Sequence, residues 1–336
     1  MTLLEKEGPH LRTGGALMIE DALIERVTGW DTSDEALRIP ASLPGGGQAW
    51  ETVHRSLRAT VERDNRISAI DNTLVVGIDQ NTNQAWVTSD AGEVFTGDFV
   101  VGADGHRSVV RRAIAPDHQD AGFAQYVIWL GMVDEASLPA KLRGNPEFDG
   151  GAFLSNENSV LFGYAMRGRR GGGTHGHRRI GWALYDNSHN AFLRDNGHVR
   201  NDVVHHSVRP DDISAELYVE LAEMVQSQWP SPWRELIAFC ITRQEITGTP
   251  IAEYLPTTLV NGRLAIIGDA AHVHTPMTGQ GFGSALTDAE ALAQALTGMT
   301  TLPDTLRAYE DLRLRKVQGL VRSGQDFSRR FARTQK

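Results

Sequence analysis

The segment 262–296, GRLAIIGDAAHVHTPMTGQGFGSALTDAEALAQAL, constrains the fold of this chain more than any other. A short apolar run, Leu264 to Ile267, predicts a buried strand that ends at a Gly-Asp turn. A loop rich in Pro and Gly follows, and from Phe282 onward apolar residues recur with the helical period of about 3.6 residues. The inward face of this predicted helix consists of Ala285, Leu286, Ala289, Leu292, Ala293 and Leu296.

The loop 275–281, Thr-Pro-Met-Thr-Gly-Gln-Gly, has little side chain near its end, so its backbone N–H groups can lie against a ligand. Because these amides precede a helix, they lie at the positive end of the helix dipole, which favours an anion or a developing negative charge. Asp269, on the turn before the loop, is placed to accept hydrogen bonds from a polyol or a ribose. The alternative is an ordinary strand, loop and helix with a capped start.

A second motif, DFVVGADGHRSVVR at 98–111, also places a tight turn after an apolar strand. Gly102 and Gly105 allow this turn because glycine accepts backbone angles that other residues avoid. Asp104 can either cap the following helix or hold a ligand hydroxyl. Arg111 offers a planar fork of N–H donors for a phosphate or a carboxylate. The alternative for the whole motif is a structural cap.

The two motifs resemble, in order and separation, the flavin-binding fingerprints of the single-component FAD-dependent aromatic hydroxylases, the p-hydroxybenzoate hydroxylase class. The resemblance implies an FAD-binding dinucleotide-type fold in which Asp269, next to Gly268, contacts the ribityl chain. It also implies that the loop and the helix start lie beside the isoalloxazine ring and stabilise its reduced form. Pro276 would lie close to the flavin edge where oxygen reacts. The residues that face the ring through their backbone are Gly279, Gln280 and Gly281.

The second fingerprint, represented here by Asp104, Gly105 and Arg111, touches the FAD side in that family and is associated with the reaction of the pyridine nucleotide. A third segment, 51–57, resembles the arginine-bearing helix of the family, which makes Arg55 a candidate to reach the cofactor. The alternative for Arg55 is a surface position on an amphipathic helix.

A strand that leads through the glycine-rich turn GxGxxG into a helix, with which the family binds the FAD pyrophosphate, is not found in this sequence. Gly45–Gly47 and Gly171–Gly173 lack a strand before them and an amphipathic helix after them, so both are interpreted as loops. The chain begins instead like the end of the family's second strand, where an acidic residue holds the adenosine ribose. Glu5 matches that position better than Glu7. We expect one β-α unit of roughly thirty residues to be absent. The reading frame begins at an internal methionine, or the sequence is a fragment, or the protein is a truncated relative of the family.

Composition limits the other classes of function. The 336 residues are 40% hydrophobic and 22% charged, which is typical of a soluble globular protein of two packed lobes. The net charge of −9 argues against a nucleic-acid partner or an acidic membrane surface. Cys240 is the single cysteine and the 12 histidines show no metal-binding spacing, so we expect neither a disulfide nor a metal. Because the sequence shows no long apolar span and no export signal, the expected location is the cytoplasm. A homodimer is one of the possible oligomeric states.

The predicted organisation alternates between two lobes and gives an α/β fold with an α+β substrate lobe. Residues 1–120 carry cofactor-binding elements, 121–255 form a substrate-binding domain, and 256–336 return with the Gly-Asp motif and C-terminal helices. The substrate domain is expected to be a mixed, largely antiparallel sheet, because its segments alternate or run apolar between Gly, Asn and Asp clusters. These segments are 126–133, 151–154, 159–166 and 179–185. Further expected elements are a meander at 74–78, 85–89 and 93–96, and helices at 213–228 and 304–332, the second with Leu306, Tyr309, Leu312 and Val317 inward.

Aromatic side chains on the predicted substrate sheet can grip a flat ring by offset stacking. The set is Tyr126, Trp129, Phe162, Tyr164, Trp182 and Tyr185, and for each the alternative is a place in the core. Segments 181–185 and 205–207 resemble the dihydroxypyridine-hydroxylase branch of the family. Here His206 is a candidate to assist deprotonation of a ring hydroxyl, because imidazole titrates near neutral pH. Its alternative is a loop histidine without catalytic duty.

His272 lies within the Gly-Asp motif. This position favours a role in positioning groups beside the flavin rather than a role as a catalytic base. The resemblance as a whole implies an FAD-dependent monooxygenase. NAD(P)H reduces FAD, the reduced flavin takes up O2 as a C4a-hydroperoxide, and an electron-rich aromatic or hydroxypyridine ring is hydroxylated. The alternatives are a flavoprotein of the same fold with other chemistry (an epoxidase, halogenase or reductase) and an inactive relative that does not hold FAD. The halogenase element Trp-x-Trp-x-Ile-Pro is not present in the sequence.

Overall fold

A computed structural model describes residues 1–8, 15–18, 23, 24, 26, 42, 43, 47–156, 159–169, 171–298 and 301–333 of the chain. Its largest element is a sheet of seven strands, beside which smaller sheets and helices assemble. The predicted α/β fold class with a separate substrate sheet is confirmed. Residues 171–173 form part of a loop, whereas Gly45 and Gly46 lie outside the described residues.

The N-terminal part consists of short strands and two described helices. They are β1 (Thr2–Leu4), β2 (Ala16–Leu17), β3 (Gln48–Ala49), α1 (Trp50–Arg63), β4 (Ser68–Ile70), β5 (Val75–Gln80), β6 (Ala85–Ser89), β7 (Val94–Gly97), β8 (Val100–Gly102) and α2 (Val109–Ile114). Strands β1 and β4 pair in parallel, whereas β5, β6 and β7 form the predicted antiparallel meander. The first meander turn closes because the Asn81 side chain accepts hydrogen bonds from the N–H groups of Asn83 and Gln84.

The large sheet is antiparallel at every strand pairing among the described residues, in agreement with the predicted largely antiparallel sheet. Its strands are β9 (Gly122–Asp134), β10 (Ala152–Ser155), β11 (Ser159–Arg167), β12 (Arg178–Asp186), β13 (Val199–Arg200), β14 (Val203–Val204) and β15 (Ile246–Glu253). The order is β10-β11-β12-β9-β14-β13, and β15 also pairs with β9. The sequence does not predict β15 because Gly248 and Pro250 interrupt it, and the register shifts after Pro250.

Side chains alternate between the two faces of the large sheet. The six aromatic residues of the predicted substrate set therefore lie on two different faces. Trp129 and Trp182 are buried in the core beneath helices α3 (Asn190–Asp195), α4 (Ala215–Gln228) and α5 (Trp233–Thr242). The other rings lie on the opposite surface, which we call the aromatic face. It comprises Tyr126, Phe162, Tyr164 and Tyr185. The two tryptophans are therefore core residues, which corrects their place in the predicted substrate set.

Two glycines let indole rings lie flat across the core face of the sheet. A Cβ atom at Gly131 would lie 2.6 Å from ring atoms of Trp182. At Gly163, the ring of Trp233 comes within 2.1 Å of the same position. Packing therefore requires glycine at both places, because no side chain fits between the backbone and the ring.

The C-terminal part returns to the first lobe. Strands β16 (Val260–Asn261) and β17 (Leu264–Ile266) join β8, and β17 runs parallel to it. Helices α6 (Gly281–Gly298) and α7 (Leu302–Arg333) pack against this sheet. Across the described ranges, the parallel pairs β1–β4 and β8–β17 are not hydrogen-bonded to each other. Of the helices in these ranges, none has the length and apolar character needed to cross a bilayer.

The helical period locates the helices but predicts their inward faces only in part. Helices α4 and α7 cover the predicted segments 213–228 and 304–332. On α7, Leu312 is exposed, whereas the neighbouring Arg313 is buried. On α6, the predicted Ala293 and Leu296 are exposed. The residues of α6 that are buried are Ser284, Asp288, Ala291, Leu292 and Ala295. Polar residues occupy inward positions because they bond to one another, which an apolar period does not reveal.

We expect Gly131→Ala to lower the free energy of unfolding by about 1–3 kcal/mol, because a methyl group would overlap the buried ring of Trp182. Gly122→Ala is the matched control, since it lies on the same strand and a Cβ there would meet nothing within 4 Å. Chemical denaturation of both variants measures the difference. Equal unfolding midpoints would show that packing against Trp182 is not what requires the glycine.

Candidate cofactor and substrate site

The Gly-Asp turn begins where β17 ends. Gly268 has a φ of +58°, and a Cβ there would lie 3.1 Å from the Cβ of Ala285, so both backbone and packing require glycine. Asp269 follows on a short 3-10 turn with its side chain exposed. Its negative charge acts on His106 in the second motif and on His274 in the loop. The exposed carboxylate therefore lies where the two motifs meet.

The second motif forms a turn whose aspartate caps a helix. The Asp104 carboxylate accepts a hydrogen bond from the N–H of Val109 at 2.7 Å. Ser108 adds a second cap by accepting from the N–H of Arg111 at 2.9 Å. Gly105, with a φ of +77°, supplies the left-handed residue in the turn. Of the two roles that the sequence leaves open for Asp104, the structure shows the cap.

Arg111 joins the two motifs through buried hydrogen bonds. Its guanidinium donates to the carbonyl oxygens of Gln119 at 2.8 Å, Ala270 at 3.1 Å and His106. The ring of Tyr254 covers the guanidinium at 4.4 Å. Burial lowers the pKa of Arg111 from its ordinary value. The predicted open donor fork is therefore corrected: carbonyl groups fill it, because the side chain holds the two turns together.

A buried carboxylate fixes the start of the loop from behind. Asp288 of α6 accepts a hydrogen bond from the N–H of Gly268 at 2.8 Å and lies 2.7 Å from Nε2 of His272. Arg313 of α7 donates to the other oxygen at 2.6 Å. Burial opposes ionisation of Asp288, but the hydrogen bond with His272 and the charges of His272 and Arg313 outweigh it and keep its pKa below the ordinary value. These are the contacts of a positioning histidine, not of an exposed base.

The loop after the turn lies against the aromatic face of the large sheet. The Tyr126 hydroxyl lies 2.5 Å from the hydroxyl oxygen of Thr275, and both residues are fully buried. Met277 packs against the same group of rings. A hydrogen bond and apolar packing thus fix the loop to the sheet.

The loop 275–281 forms a bend whose surface consists of backbone more than of side chains. Pro276 begins a 3-10 turn that ends at Gly279, whose φ is +65°, and α6 starts at Gly281. Pro276 and Gln280 are exposed, and the two glycines are half-buried. The first amide groups of a helix have no acceptor within the helix, so those at the start of α6 can donate to a ligand at its positive end.

Two imidazole rings lie under the bend. His272 and His274 stack in parallel with ring centroids 6.0 Å apart. Nδ1 of His274 lies 3.0 Å from the Thr278 hydroxyl, and burial together with the charge of His272 lowers the pKa of His274. Among the described residues, His272 Nδ1 and His274 Nε2 have no hydrogen-bond partner although both atoms are buried. Unpaired buried nitrogens of this kind indicate a place for a further polar partner.

The isoalloxazine and ribityl parts of FAD fit this arrangement. The bend supplies helix-start amides, Asp269 supplies an exposed carboxylate for hydroxyl groups, and unpaired imidazole nitrogens lie beneath. Among the described residues, the pyrophosphate part of FAD lacks a comparable site, because the one GxGxxG spacing in the sequence, at 171–176, lies between two antiparallel strands and not at the start of a helix. The residues at hand therefore fit the flavin end of the cofactor.

The aromatic face continues as a row of rings that is only partly covered. Phe162 lies between Phe153, at 4.8 Å, and Tyr185, at 5.6 Å, measured between ring centroids. Phe162 is half-buried, and Phe153 is 62% exposed at the sheet edge. Tyr164, on the same face of β11, is also half-buried, and burial raises its pKa to about 12, so its phenol stays protonated at neutral pH. These rings offer a flat apolar surface to another ring.

Three other predicted site residues lie outside this group. His206 belongs to the β13–β14 end of the sheet, away from the β10–β11 end that carries Phe162, and its Nδ1 lies 2.8 Å from Nδ1 of His198. The contacts that the structure gives His206 are therefore with His198 and not with the aromatic face. Glu5 directly follows β1 and is exposed, and Arg55 is exposed on α1.

The residues that hold the site from behind are not predicted from the sequence. Asp288 is present in the long motif, and its signal is a charged residue within an otherwise apolar helix. Arg313 and Thr275 carry no such signal, since their partners come from distant segments.

We expect Asp288→Asn to lower the free energy of unfolding at neutral pH by about 3–5 kcal/mol, because Arg313 would keep a buried charge without its carboxylate. The folded-state pKa of Asp288 lies below the ordinary value. Its stabilisation is therefore present above the unfolded-state pKa and is lost as the pH falls through the folded-state pKa. In urea unfolding, the difference in the free energy of unfolding between wild type and variant should become smaller as the pH is lowered.

Glu290→Gln is the control for this measurement. It lies on the same helix and pairs with Arg26, whose side chain is 59% exposed, so its loss should cost at most about 1 kcal/mol. A loss for Asp288→Asn no larger than that of the control would contradict the buried ion pair.

Comparisons with known proteins show what the chain is similar to. Residues 231–323 match the family described as FAD binding domain. The chain is 26% identical over 303 residues to salicylate hydroxylase of Pseudomonas putida, which covers 84% of this chain and 63% of that protein. It is 26% identical over 264 residues to 3-hydroxybenzoate 6-hydroxylase of Klebsiella oxytoca, and the match covers 76% of this chain and 56% of that protein. The solved structure of 2,6-dihydroxypyridine-3-hydroxylase from Arthrobacter nicotinovorans matches with a TM-score of 0.77 at 18% identity, over 98% of this chain and 86% of that one.

The chain spans less than two thirds of the length of these two curated relatives, 63% and 56%. The family match includes the Gly-Asp turn, the bend and α6. The structural match, at 18% identity, supports the fold. In sequence the chain is similar to aromatic hydroxylases, and its fold is similar to that of a solved hydroxylase of 2,6-dihydroxypyridine.

Proposed function

We propose that the protein is an FAD-dependent monooxygenase that hydroxylates an electron-rich aromatic or hydroxypyridine-type ring with NAD(P)H and O2. The observation that carries the proposal is the bend 275–281, which the Tyr126–Thr275 contact of 2.5 Å holds beside the aromatic face. A cofactor on the bend and a ring on that face would be neighbours. The names of the relatives, hydroxylases of salicylate, 3-hydroxybenzoate and 2,6-dihydroxypyridine, support this class of substrate.

The Gly-Asp turn and the bend would hold FAD. Asp269 would accept hydrogen bonds from the ribityl hydroxyls, and the backbone of the bend would face the ring system. When bound, FAD supplies the redox and oxygen chemistry that amino-acid side chains lack. The proposed cofactor-contacting residues are Glu5, Arg55, Asp104, Gly105, Gly268, Asp269, Gly279, Gln280 and Gly281, with Arg111 and His272 behind them.

The chain's own residues would bind, orient and shield the reacting groups. The dipole of α6 stabilises negative charge that develops on a ring system at its start. Pro276 would border the space between the bend and the substrate. Phe162 and Tyr164 would stack on the substrate ring, and the apolar surroundings would exclude water. His206 is not assigned as the base, since its ring pairs with His198 at the β13–β14 end of the sheet.

The proposal divides the chain into cofactor-binding parts, 1–120 and 256–336, and a substrate-binding part, 121–255. Two separate cores support this division. One lies between residues 121 and 273, and the other joins residues between 85 and 115 to residues between 259 and 317. A small aromatic substrate and O2 would meet the cofactor where these parts face each other.

We expect the purified protein to take up FAD and to keep flavin absorbance bands after gel filtration. Asp269→Ala should bind FAD at least about ten-fold more weakly, since hydrogen bonds to an ionised acceptor contribute roughly 1.5–3 kcal/mol. Asp311→Ala, which removes an exposed carboxylate of α7, should bind as wild type. A protein that stays colourless with FAD ends the proposal, and unchanged binding by Asp269→Ala removes that residue from the site.

We expect the FAD-loaded protein to oxidise NADH or NADPH faster when a phenol or hydroxypyridine from a panel is present, and to release a hydroxylated ring detectable by mass spectrometry. Phe162→Leu should raise the KM for that ring about five-fold, because a stacked ring contact is worth roughly 1 kcal/mol. Phe239→Leu, on the helical side of the sheet, is the control. Without ring-stimulated NAD(P)H oxidation the hydroxylase proposal fails, and an unchanged KM excludes Phe162 from the substrate site.

A further inference from the structure

A row of hydrogen-bonded side chains runs from the bend to a half-buried carboxyl group. Thr275, at the start of the bend, has its hydroxyl oxygen 2.5 Å from the Tyr126 hydroxyl of β9. The Ser328 hydroxyl of α7 lies 3.5 Å from the Tyr126 hydroxyl and 2.6 Å from the Glu253 carboxyl of β15. The loop, two strands and the last helix thus contribute one polar group each.

The hydroxyl groups of this row are shielded from water. Tyr126 and Thr275 are fully buried and Ser328 is buried. The ring of Phe331 packs edge-on against Tyr126 with centroids 5.3 Å apart. Burial raises the pKa of Tyr126, so its phenol stays protonated and can both donate and accept a hydrogen bond.

Glu253 is the titratable end of the row. Burial raises its pKa above the ordinary value for a glutamate. The charged and titratable groups that face it are Arg329 of α7 and Tyr126 of β9. Arg329 donates a hydrogen bond to Asp326 at 2.6 Å. The carboxyl group therefore changes its charge at a higher pH than an ordinary glutamate.

The charge of Glu253 decides which group Ser328 donates to, because each hydroxyl group donates one proton. An ionised Glu253 only accepts, so Ser328 donates to it and has no proton left for Tyr126, and the hydrogen bond between Tyr126 and Thr275 can take either direction. A protonated Glu253 donates to Ser328, which donates to Tyr126, and Tyr126 in turn donates to Thr275. In this second state the Thr275 hydroxyl accepts from Tyr126, and its own proton is available to another acceptor. One proton taken from solvent by the carboxylate accounts for the whole change.

We propose that Glu253, Ser328 and Tyr126 are positioning residues that set the hydrogen-bonding state of Thr275 at the start of the bend. The inference rests on the function proposed for the bend. Thr275 directly precedes Pro276, so the state of the row changes the polarity that a bound ring system meets there. The site thereby gains a group that responds to protons without touching either ligand.

The row is tested first in the protein without FAD, by infrared difference spectroscopy during a pH titration. A carboxyl band that is missing in Glu253→Gln is expected to titrate at a higher pH than an ordinary glutamate and to shift in frequency in Ser328→Ala and Tyr126→Phe. Glu245→Gln, which removes a surface carboxylate paired with Arg243, should keep the band. A titration without such a band, or a band that neither hydroxyl deletion shifts, would overturn the row.

The link to the bend is tested with FAD bound, through the pH dependence of flavin absorbance and fluorescence. We expect a one-proton step at the pH of the infrared titration that is lost in Glu253→Gln and Tyr126→Phe. It should persist in Glu245→Gln and in Tyr218→Phe, which loses a hydroxyl hydrogen bond to Pro210 outside the site. A step that survives in Glu253→Gln overturns the link. A failure to bind FAD contradicts the proposed function and the link together, whereas the infrared titration decides on the row alone.

Discussion

The geometry of the site depends on one buried carboxylate. The Asp288 carboxylate accepts a hydrogen bond from the N–H of Gly268, contacts the ring of His272 and forms an ion pair with Arg313. It thereby fixes the end of a strand, the start of the loop and the last helix relative to one another. An ionised group is costly to bury unless its oxygens are bonded, so these partners are required together. The bend that follows inherits its position from this contact.

Two further contacts complete the support of the bend. Arg111 ties the second motif to the Gly-Asp turn through the carbonyl group of Ala270, and Tyr126 ties Thr275 to the large sheet. Both use buried donors, so water does not compete for them. Helix-start amides that are held in place by such contacts need little rearrangement when negative charge develops on a ligand, which is the condition for effective electrostatic stabilisation.

The sequence predicts the elements of this fold better than the contacts between them. Segment 262–296 reveals a strand, a turn and a helix because polar and apolar residues follow local periods. It does not reveal the carbonyl partners of Arg111, since a backbone carbonyl leaves no trace in residue type. The two faces of the sheet are readable, because Tyr126 and Trp129 are three positions apart and an odd spacing places side chains on opposite faces. Asp288 is missed for another reason: an apolar stripe does not include a charged residue, and its partner Arg313 lies on another helix.

Rings lie close to glycines on both faces of the large sheet. On the core face, the rings of Trp182 and Trp233 leave no space for a side chain at Gly131 or Gly163. On the aromatic face, the ring of Tyr164 does the same at Gly181, whereas Phe162 is half-buried and lies opposite Ala183. The ring of Phe162 therefore lies beside a residue with a side chain and not across a glycine. A scaffold built in this way can exchange one ring-shaped ligand for another over evolutionary time while its folding is left intact.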